Sequence, residues 1–214
     1  DNDYNVVVDD TNFHPSHREL LVDIADNCDA DFEEKFIDTP VYECIERDLK
    51  RGEKSVGSKV ILGMYFKYLK PSTIEHNPAL SDCYIVDIDG TIAKMDSRSP
   101  YDYTKVSTDV LNEAVAGIIK VIGEFTKIIF VSGRDGSCYV DTANWLDKNN
   151  VKYHALFMRD TGDKRDDRII KNEIYEHYIK NKYNVLAVFD DRERVVGMWR
   201  SLGLTCLQVE YGNF

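Results

Sequence analysis

Residues 83–91 read Cys-Tyr-Ile-Val-Asp-Ile-Asp-Gly-Thr, a short apolar run that ends in two aspartates and a glycine. On an extended strand, Asp87 and Asp89 point to one face and Ile88 points to the other. Gly90 allows the chain to turn sharply out of the sheet. Because two carboxylates at one strand end repel each other, the pattern favours a hard, oxygen-binding cation such as Mg²⁺ between them. A plain turn or a calcium loop would use the same residue types.

Beyond residue 80 the sequence alternates between short β-branched runs and amphipathic helical patterns. This alternation predicts βαβ units in a doubly wound parallel sheet, and therefore an α/β fold. In such sheets ligands bind beyond the carboxyl ends of the strands. The predicted strands are 83–88, 128–131, 153–158, 185–189 and 205–209, and the predicted helices are 111–122, 139–148, 170–178 and 195–202.

Three further predicted strands end in groups that suit a phosphate or a metal ion. The predicted strand 128–131 is followed by Ser-Gly-Arg at 132–134, which offers a hydroxyl, backbone N–H groups and a guanidinium to phosphate oxygens. The fourth is followed by Asp-Asp-Arg at 190–192, an acidic pair that could complete a Mg²⁺ shell. Arg159 follows the third, and a segment ending at Asp167 leads into a helix that carries Lys171. We expect these groups to meet at one edge of the sheet.

The polar strand ends belong to a longer series of ordered motifs. These are Asp-Ile-Asp-Gly-Thr-Ile-Ala-Lys-Met at 87–95, Pro-Tyr-Asp at 100–102, Val-Ser-Gly-Arg at 131–134, Gly-Asp-x-Arg-x-Asp at 162–167, Asp-Asp-Arg at 190–192, Met-Trp-Arg at 198–200 and Gly-Asn-Phe at 212–214. The series resembles the haloacid-dehalogenase (HAD) phosphohydrolase superfamily and, within it, the T-even-phage-type polynucleotide kinase/3′-phosphatases. The resemblance covers essentially all of residues 81–214 and implies a HAD-like doubly wound parallel sheet.

The resemblance also implies a role for each matched residue. Asp87 would be the nucleophile that forms an aspartyl-phosphate, and Asp89 would be the general acid–base. The further catalytic residues would be Ser132, Arg134 and Lys171, with Lys164 as an alternative lysine. The Mg²⁺ ligands would be Asp87, Asp89 through its backbone carbonyl, Asp190 and Asp191. The substrate-binding residues would be Thr91, Gly133, Arg159, Asp167 and Arg192.

The function that this resemblance implies is a Mg²⁺-dependent phosphatase for 3′-phosphate ends of DNA or RNA, as nucleic-acid repair requires before ligation. A metal ion, a lysine and arginines together neutralise the oxygen charge that phosphoryl transfer develops. Two alternatives remain. The chain could be a HAD phosphatase for small phosphate esters or phosphoproteins, or a fragment of a bifunctional 5′-kinase/3′-phosphatase.

Residues 1–70 resemble the later part of a P-loop 5′-kinase domain. The matching residues are Asp-Thr-Asn at 10–12 with Arg18, and a lid-like Arg47-x-x-x-Arg51-Gly52. The apolar patterns predict a partial α/β segment, with strands at 6–8 and 32–37 and helices at 15–27, 41–50 and 58–69. No G-x-x-x-x-G-K-[ST] loop occurs in the 214 residues. We expect that the phosphate-binding half is lost, is degenerate or was removed before Asp1, or alternatively that residues 1–70 are a catalytically silent docking module.

Two prolines and polar residues predict a linker at 71–80, between the kinase-like segment 1–70 and the HAD-like 3′-phosphatase domain 81–214. The chain opens with Asp-Asn-Asp-Tyr and no Met, so we expect it to begin inside a longer protein.

Composition narrows the class of protein further. The net charge of −11 argues against a broad, non-specific nucleic-acid binder, and residues 1–40 alone carry 12 acidic and 2 basic residues. The 5 cysteines are scattered without a C-x-x-C pair, which indicates reduced intracellular thiols. No apolar run reaches the roughly 18 residues of a membrane span. We therefore expect a cytoplasmic protein, in the host-cell cytoplasm if it is phage-encoded, and the sequence allows a homo-oligomer.

We expect this 214-residue chain to transfer no phosphate from ATP to a 5′-hydroxyl end. Arg47 and Arg51 resemble lid residues, but a P-loop kinase holds the ATP phosphates with a glycine-rich loop, a lysine and a hydroxyl on Mg²⁺. Radiolabelled ATP and a 5′-hydroxyl oligonucleotide measure the transfer. Label that the purified chain transfers, and that Arg51→Ala abolishes, would contradict this expectation.

Overall fold

The computed structural model describes residues 5–11, 13–37, 39, 41–70, 74–96, 98–99 and 102–212. The chain divides into two compact units, Asp1–Lys70 and Pro71–Phe214. Several stretches used in the sequence analysis lie outside the described residues. They are Asn12, residues 71–73 of the predicted linker, Pro100-Tyr101 and Asn213-Phe214.

The described part of the first unit is helical. Its helices are α1 (Pro15–Asn27), α2 (Val41–Leu49) and α3 (Ser58–Met64), and α3 continues into a π-helical turn, Tyr65–Leu69. These helices confirm the predicted ones. The strands predicted at 6–8 and 32–37 are wrong, because neither stretch pairs with another strand among the described residues. Val7 is 88% exposed, so the β-branched pattern there has no partner to pack against.

The second unit contains a five-stranded parallel sheet and a short antiparallel pair. The strands are β1 (Ser81–Val86), β2 (Ala93–Lys94), β3 (Val110–Leu111), β4 (Lys127–Asp135), β5 (Ala155–Arg159), β6 (Tyr183–Arg192) and β7 (Cys206–Gly212). The helices are α4 (Glu113–Gly123), α5 (Tyr139–Lys148), α6 (Asp167–Ile174), which continues into a π-helical turn at Tyr175–Ile179, and α7 (Glu193–Ser201). The predicted α/β fold is therefore confirmed, whereas the β2–β3 pair was not predicted.

Side chains of β1 alternate between two cores, one on each face of the sheet. Cys83 and Ile85 pack with Ile170 of α6 and Trp199 of α7. Val86 belongs to the other core, which α4 and α5 cover. This period of two is what burial on both faces of a parallel sheet requires.

The strand order is β5-β4-β1-β6-β7, with β1 at the centre. From β1 the chain builds outward through β4 and β5, then returns to the other side of β1 for β6 and β7. Ligands bind at such reversals, beyond the carboxyl ends of the two strands between which the order changes. Here those strands are β1 and β6, so Asp87 and Asp190 lie at the switch point.

Residues 74–80, assigned to the linker by sequence, belong to the second unit and are hydrogen-bonded to its strand β6. The Asn184 side chain on β6 accepts the backbone N–H of Asn77 at 2.8 Å and donates to the carbonyls of Asn77 and Leu80 at 2.9 and 3.0 Å. No helix within the described ranges is long and apolar enough to cross a bilayer.

Candidate active site

Three buried carboxylates meet at the carboxyl ends of β1 and β6. Asp87, Asp190 and Asp191 are at most 6% exposed, and one oxygen of each lies within 4.8 Å of the others. Lys171 of α6 reaches into this cluster, with its Nζ 2.8 Å from Asp87 Oδ1 and 2.9 Å from Asp190 Oδ2. The Trp199 indole donates to Asp190 Oδ2 at 3.1 Å. The cluster therefore holds three acids against one ammonium.

Burial and mutual repulsion raise the pKa values of these acids. Burial raises the pKa of Asp87 well above its usual range; Lys171 opposes this shift, and Asp190 and Asp191 reinforce it. Burial and the charge of Asp190 raise the pKa of Asp191 to about 6. Burial alone would lower the pKa of Lys171, but Asp190 and Asp87 outweigh burial and raise it. Three hard oxygen donors with excess negative charge fit a divalent cation.

The turn after β1 fits closely against Asp191. Gly90 has φ of +80°, and a Cβ there would lie 2.2 Å from Asp191 Oδ2, so any side chain would collide with the cluster. The buried Thr91 hydroxyl donates to Asp191 Oδ1 at 3.4 Å. Gly-Thr after the second aspartate thus packs the turn against the end of β6.

Asp89 occupies a different environment from Asp87. Strand β1 ends at Val86, and Asp89 lies in the following turn. Its Oδ1 accepts hydrogen bonds at 2.7 Å from Arg98 and from Arg134, and its Oδ2 accepts one from Arg134 Nε at 3.0 Å. The expectation that Asp87 and Asp89 extend one strand is therefore wrong, and the Asp89 carboxylate does not belong to the cluster of Asp87, Asp190 and Asp191. Two guanidinium groups balance the Asp89 charge instead.

Asp109 holds the same two arginines from behind. Its carboxylate accepts from Arg98 at 2.7 and 2.8 Å and from Arg134 at 2.5 Å, and its carbonyl accepts from the Trp145 indole at 2.8 Å. The side chains of Asp109, Arg98 and Arg134 are 0% exposed. Two arginines and two aspartates thus form a charge-balanced network, and partnership of this kind is what a buried charge requires.

Sequence reasoning missed Arg98 and Asp109 and misplaced the Arg134 guanidinium. We expected that guanidinium to face phosphate oxygens, but it is fully buried and bonds Asp89, Asp109 and the Thr142 hydroxyl. The strand-end pattern could not show this orientation, because Asp109 follows Arg134's partner Asp89 by 20 residues in an unpredicted insert. The one principle that could have pointed to Arg98 and Asp109 is that a buried charge requires a partner.

Asp167 joins Arg159 to Arg192. Its two carboxylate oxygens each form a short ion pair, one with each arginine. Arg159 Nε also donates to the Gly133 carbonyl at 2.8 Å. A Cβ at Gly133 would lie 2.6 Å from Asp167 Oδ1. The ends of β4, β5 and β6 are therefore tied to the first turn of α6.

An open cleft of about 460 Å³ lies over these groups. The sequence-predicted residues that line it are Asp87, Asp89, Gly133, Arg159, Asp167, Lys171 and Arg192. Five other predicted residues are buried close by, namely Thr91, Ser132, Arg134, Asp190 and Asp191. The Ser132 hydroxyl accepts the Arg134 N–H at 3.2 Å, whereas Lys164 is exposed at the rim of the cleft.

A parallel sheet whose central strand leads into Asp-x-Asp-Gly-Thr, with an acidic pair on the neighbouring strand, defines the HAD class of phosphohydrolases. Residues 81–214 match the family described as the polynucleotide kinase PNKP phosphatase domain, and the chain belongs to this family. HAD phosphatases generally use a divalent metal, and the acidic cluster is present here.

Relatives and solved structures extend the match. The chain is 34% identical over 207 residues to a protein of Autographa californica nuclear polyhedrosis virus that is described as a bifunctional polynucleotide kinase/RNA ligase. The aligned region covers 92% of this chain and 30% of the viral protein. An L-seryl-tRNA(Sec) kinase of Methanococcus maripaludis is 25% identical over 147 residues, covering 59% of this chain and 57% of the kinase. The chain therefore spans less than two thirds of these curated relatives.

Two similar solved structures come from assemblies titled as Pnkp1/Rnl/Hen1 complexes. One is 39% identical with a TM-score of 0.65, and covers 67% of this chain and 50% of the other. The second, titled as an RNA repair complex, is 33% identical with a TM-score of 0.65, and covers 92% of this chain and 71% of the other.

We expect a divalent cation to raise the melting temperature more at about pH 7.5 than at about pH 5. Because the pKa of Asp191 is raised to about 6, its contribution favours folding below the unfolded pKa and is lost as the pH rises through about 6. A cation binds the ionised carboxylates and reverses that loss. Thermal denaturation with and without Mg²⁺ measures the difference.

Asp191→Asn should reduce this pH-dependent stabilisation, and the matched change Asp147→Asn on the exposed side of α5 should leave it intact. Equal cation effects at both pH values in the unaltered protein would contradict the account.

Proposed function

We propose that this protein is a Mg²⁺-dependent polynucleotide 3′-phosphatase that acts on RNA or DNA ends through an aspartyl-phosphate. The observation that carries the proposal is the Asp87 carboxylate, buried 2.8 Å from Lys171 Nζ, beside a separate carboxylate, Asp89, that two arginines hold. A nucleophile and an acid–base held apart in one cleft are what two-step phosphoryl transfer needs. Membership of the polynucleotide kinase PNKP phosphatase family supports this substrate class, and so does the likeness to a solved structure described as an RNA repair complex.

In the first step, an Asp87 oxygen attacks phosphorus, and the bond between phosphorus and the ribose 3′ oxygen breaks. Asp89 enters this step in its protonated form and gives the proton to the departing 3′ oxygen. In the second step, Asp89 takes a proton from water as the water oxygen attacks the phosphorus of the aspartyl-phosphate. Inorganic phosphate leaves and the Asp87 carboxylate is restored. Lys171 neutralises charge on the phosphoryl oxygens in both steps.

Asp87, Asp190 and Asp191 would hold the cation, together with the Asp89 carbonyl that the family resemblance implies. When bound, Mg²⁺ supplies positive charge that offsets the transferring phosphoryl oxygens. The arginines on Asp89 keep its carboxylate oriented toward the cleft, so that the proton donor stays beside the leaving oxygen. The Arg159–Asp167–Arg192 group presents two guanidinium groups at the cleft, where a nucleic-acid phosphate could approach.

A second candidate is that this chain is the phosphatase part of a larger repair enzyme. Its viral relative is described as both a kinase and a ligase, and the chain covers only 30% of that relative. Residues 1–70 would then contribute part of a kinase domain. We propose cytoplasmic action for either form, which suits the free thiols of Cys28 and Cys44.

Matched oligonucleotides with a 3′-phosphate or a 5′-phosphate, in RNA and DNA form, test the function. Phosphate should be released from 3′ ends in Mg²⁺, and no release is expected from 5′ ends or in EDTA. Catalytic efficiency on the 3′-phosphorylated oligonucleotide should exceed that on p-nitrophenyl phosphate. Full activity in chelator would contradict the role of the cation, and preference for p-nitrophenyl phosphate would favour a phosphatase for small esters.

We expect Asp87→Asn to lower turnover by at least ~10³-fold, because the covalent step is lost. The change preserves the size of the side chain, and melting temperature checks that the fold remains. Asp147→Asn on the exposed surface is the matched control and should keep normal turnover. More than a tenth of the activity left in Asp87→Asn would overturn the assignment of the nucleophile.

We expect Asp89→Asn to harm natural substrates more than substrates with a good leaving group. A ribose hydroxyl needs a proton as it departs, whereas p-nitrophenolate leaves without one. The ratio of kcat values for the variant and the unaltered protein, measured on both substrates, tests this difference. Equal losses on the two substrates would count against Asp89 as the acid.

A further inference from the structure

The cleft is almost entirely charged. Among the described residues that line it, all are aspartates, arginines, lysines or glycines except Met95 and Tyr103. Both belong to the insert between β1 and α4, which also carries the β2–β3 pair and Arg98. Two uncharged side chains, Met95 and Tyr103, therefore line a cleft whose other side chains are charged. Phosphate binding alone gives no reason for an apolar surface there.

Tyr103 is held in place by its neighbours. It begins a 3₁₀ turn, Tyr103–Thr108, that Asp102 caps by accepting from the Thr104 backbone N–H at 3.2 Å and from its hydroxyl at 2.6 Å. The turn is anchored by Val106, which is 0% exposed, and it packs against α5. The Tyr103 side chain is half-buried and lines the cleft.

Tyr103 lies close to the chemistry as well. Partial burial raises the pKa of its phenol, and the charges of Arg159, Asp167 and Asp89 also act on it. The ring lines the same cleft as Asp89, the proton donor assigned above, and as Arg159 and Arg192. Asp89 must touch the 3′ oxygen of the substrate, and only the ribose carbons C3′, C2′ and C1′ separate that oxygen from the nucleobase. The base of the terminal nucleotide must consequently lie near Asp89.

We propose that Tyr103, together with Met95 of the same insert, forms the surface on which the nucleobase of the 3′-phosphorylated nucleotide stacks. Aromatic rings accept any base, because every base has a π-face. Met95 adds a flexible thioether that adapts to bases of different size. The site would thus recognise a terminal nucleoside without reading its sequence. This inference rests on the proposed 3′-phosphatase function and names the part of the substrate that the cleft recognises.

The test compares two 3′-phosphorylated oligonucleotides that differ only in the terminal nucleotide, one with a base and one abasic. The unaltered protein should remove the 3′-phosphate from the base-bearing end with a kcat/KM at least about tenfold higher than from the abasic end. A difference of this size is expected from one base–aromatic stack. Tyr103→Leu should lower the base-bearing value to the abasic value, mainly through KM. It should leave the abasic end and p-nitrophenyl phosphate unchanged. A purely structural role would lower all three rates together.

Three further variants complete the design. Tyr103→Phe keeps the ring and should keep the preference, Met95→Ala should weaken it, and Tyr211→Leu changes an exposed tyrosine outside the cleft and should leave it intact. An unchanged preference in both Tyr103→Leu and Met95→Ala overturns the stacking surface.

The comparison also separates this inference from the proposed function. If the unaltered protein dephosphorylates both oligonucleotides equally well, the proposed stacking surface is contradicted and the proposed 3′-phosphatase activity stands. If it cleaves neither while it hydrolyses p-nitrophenyl phosphate, the 3′-phosphatase proposal itself fails.

Discussion

The buried contact between Lys171 and the carboxylates of Asp87 and Asp190 is the constraint on which the rest of the second unit depends. Charges removed from water are tolerated only when they are paired. The central strand β1 therefore has to end beside β6, and α6 has to bring its lysine over both strand ends. A third acid, Asp191, exceeds what one ammonium can balance. Burial and this excess of negative charge raise the pKa values of Asp87 and Asp191, and the cluster of oxygen donors suits a divalent cation.

Asp87 and Asp89 lie only two residues apart, but their side chains have neighbours of opposite charge. Asp87 lies among other acids, whereas Asp89 accepts hydrogen bonds from two buried arginines that Asp109 orients. Enzymes that use two carboxylates for different tasks separate them through their environments in this way. The insert between β1 and α4 thus does more than cover the cleft. It supplies Arg98 and Asp109, which bond the proposed acid or its arginine partners, and Tyr103, which lines the cleft.

Local pattern was enough to predict most of the second unit. Runs buried on both faces identify parallel strands, and polar residues at their ends identify the edge where Asp87, Asp190 and Lys171 meet. What failed were features that depend on distant partners. The direction of the Arg134 guanidinium is set by Asp109, far along the chain. The strands predicted at 6–8 and 32–37 had suitable residues but no neighbouring strand among the described residues. The periodicity of a sequence predicts neither a distant ion-pair partner nor the presence of a neighbouring strand.

The central claim is that the phosphoryl group is transferred first to Asp87 and only then to water. The stereochemistry at phosphorus tests it most directly, using a 3′-phosphorothioate end made chiral with oxygen isotopes. Two successive in-line displacements, first by Asp87 and then by water, return the original configuration. The account predicts retention in the released thiophosphate. Inversion would mean that water attacks the substrate directly, and it would contradict Asp87 as the nucleophile.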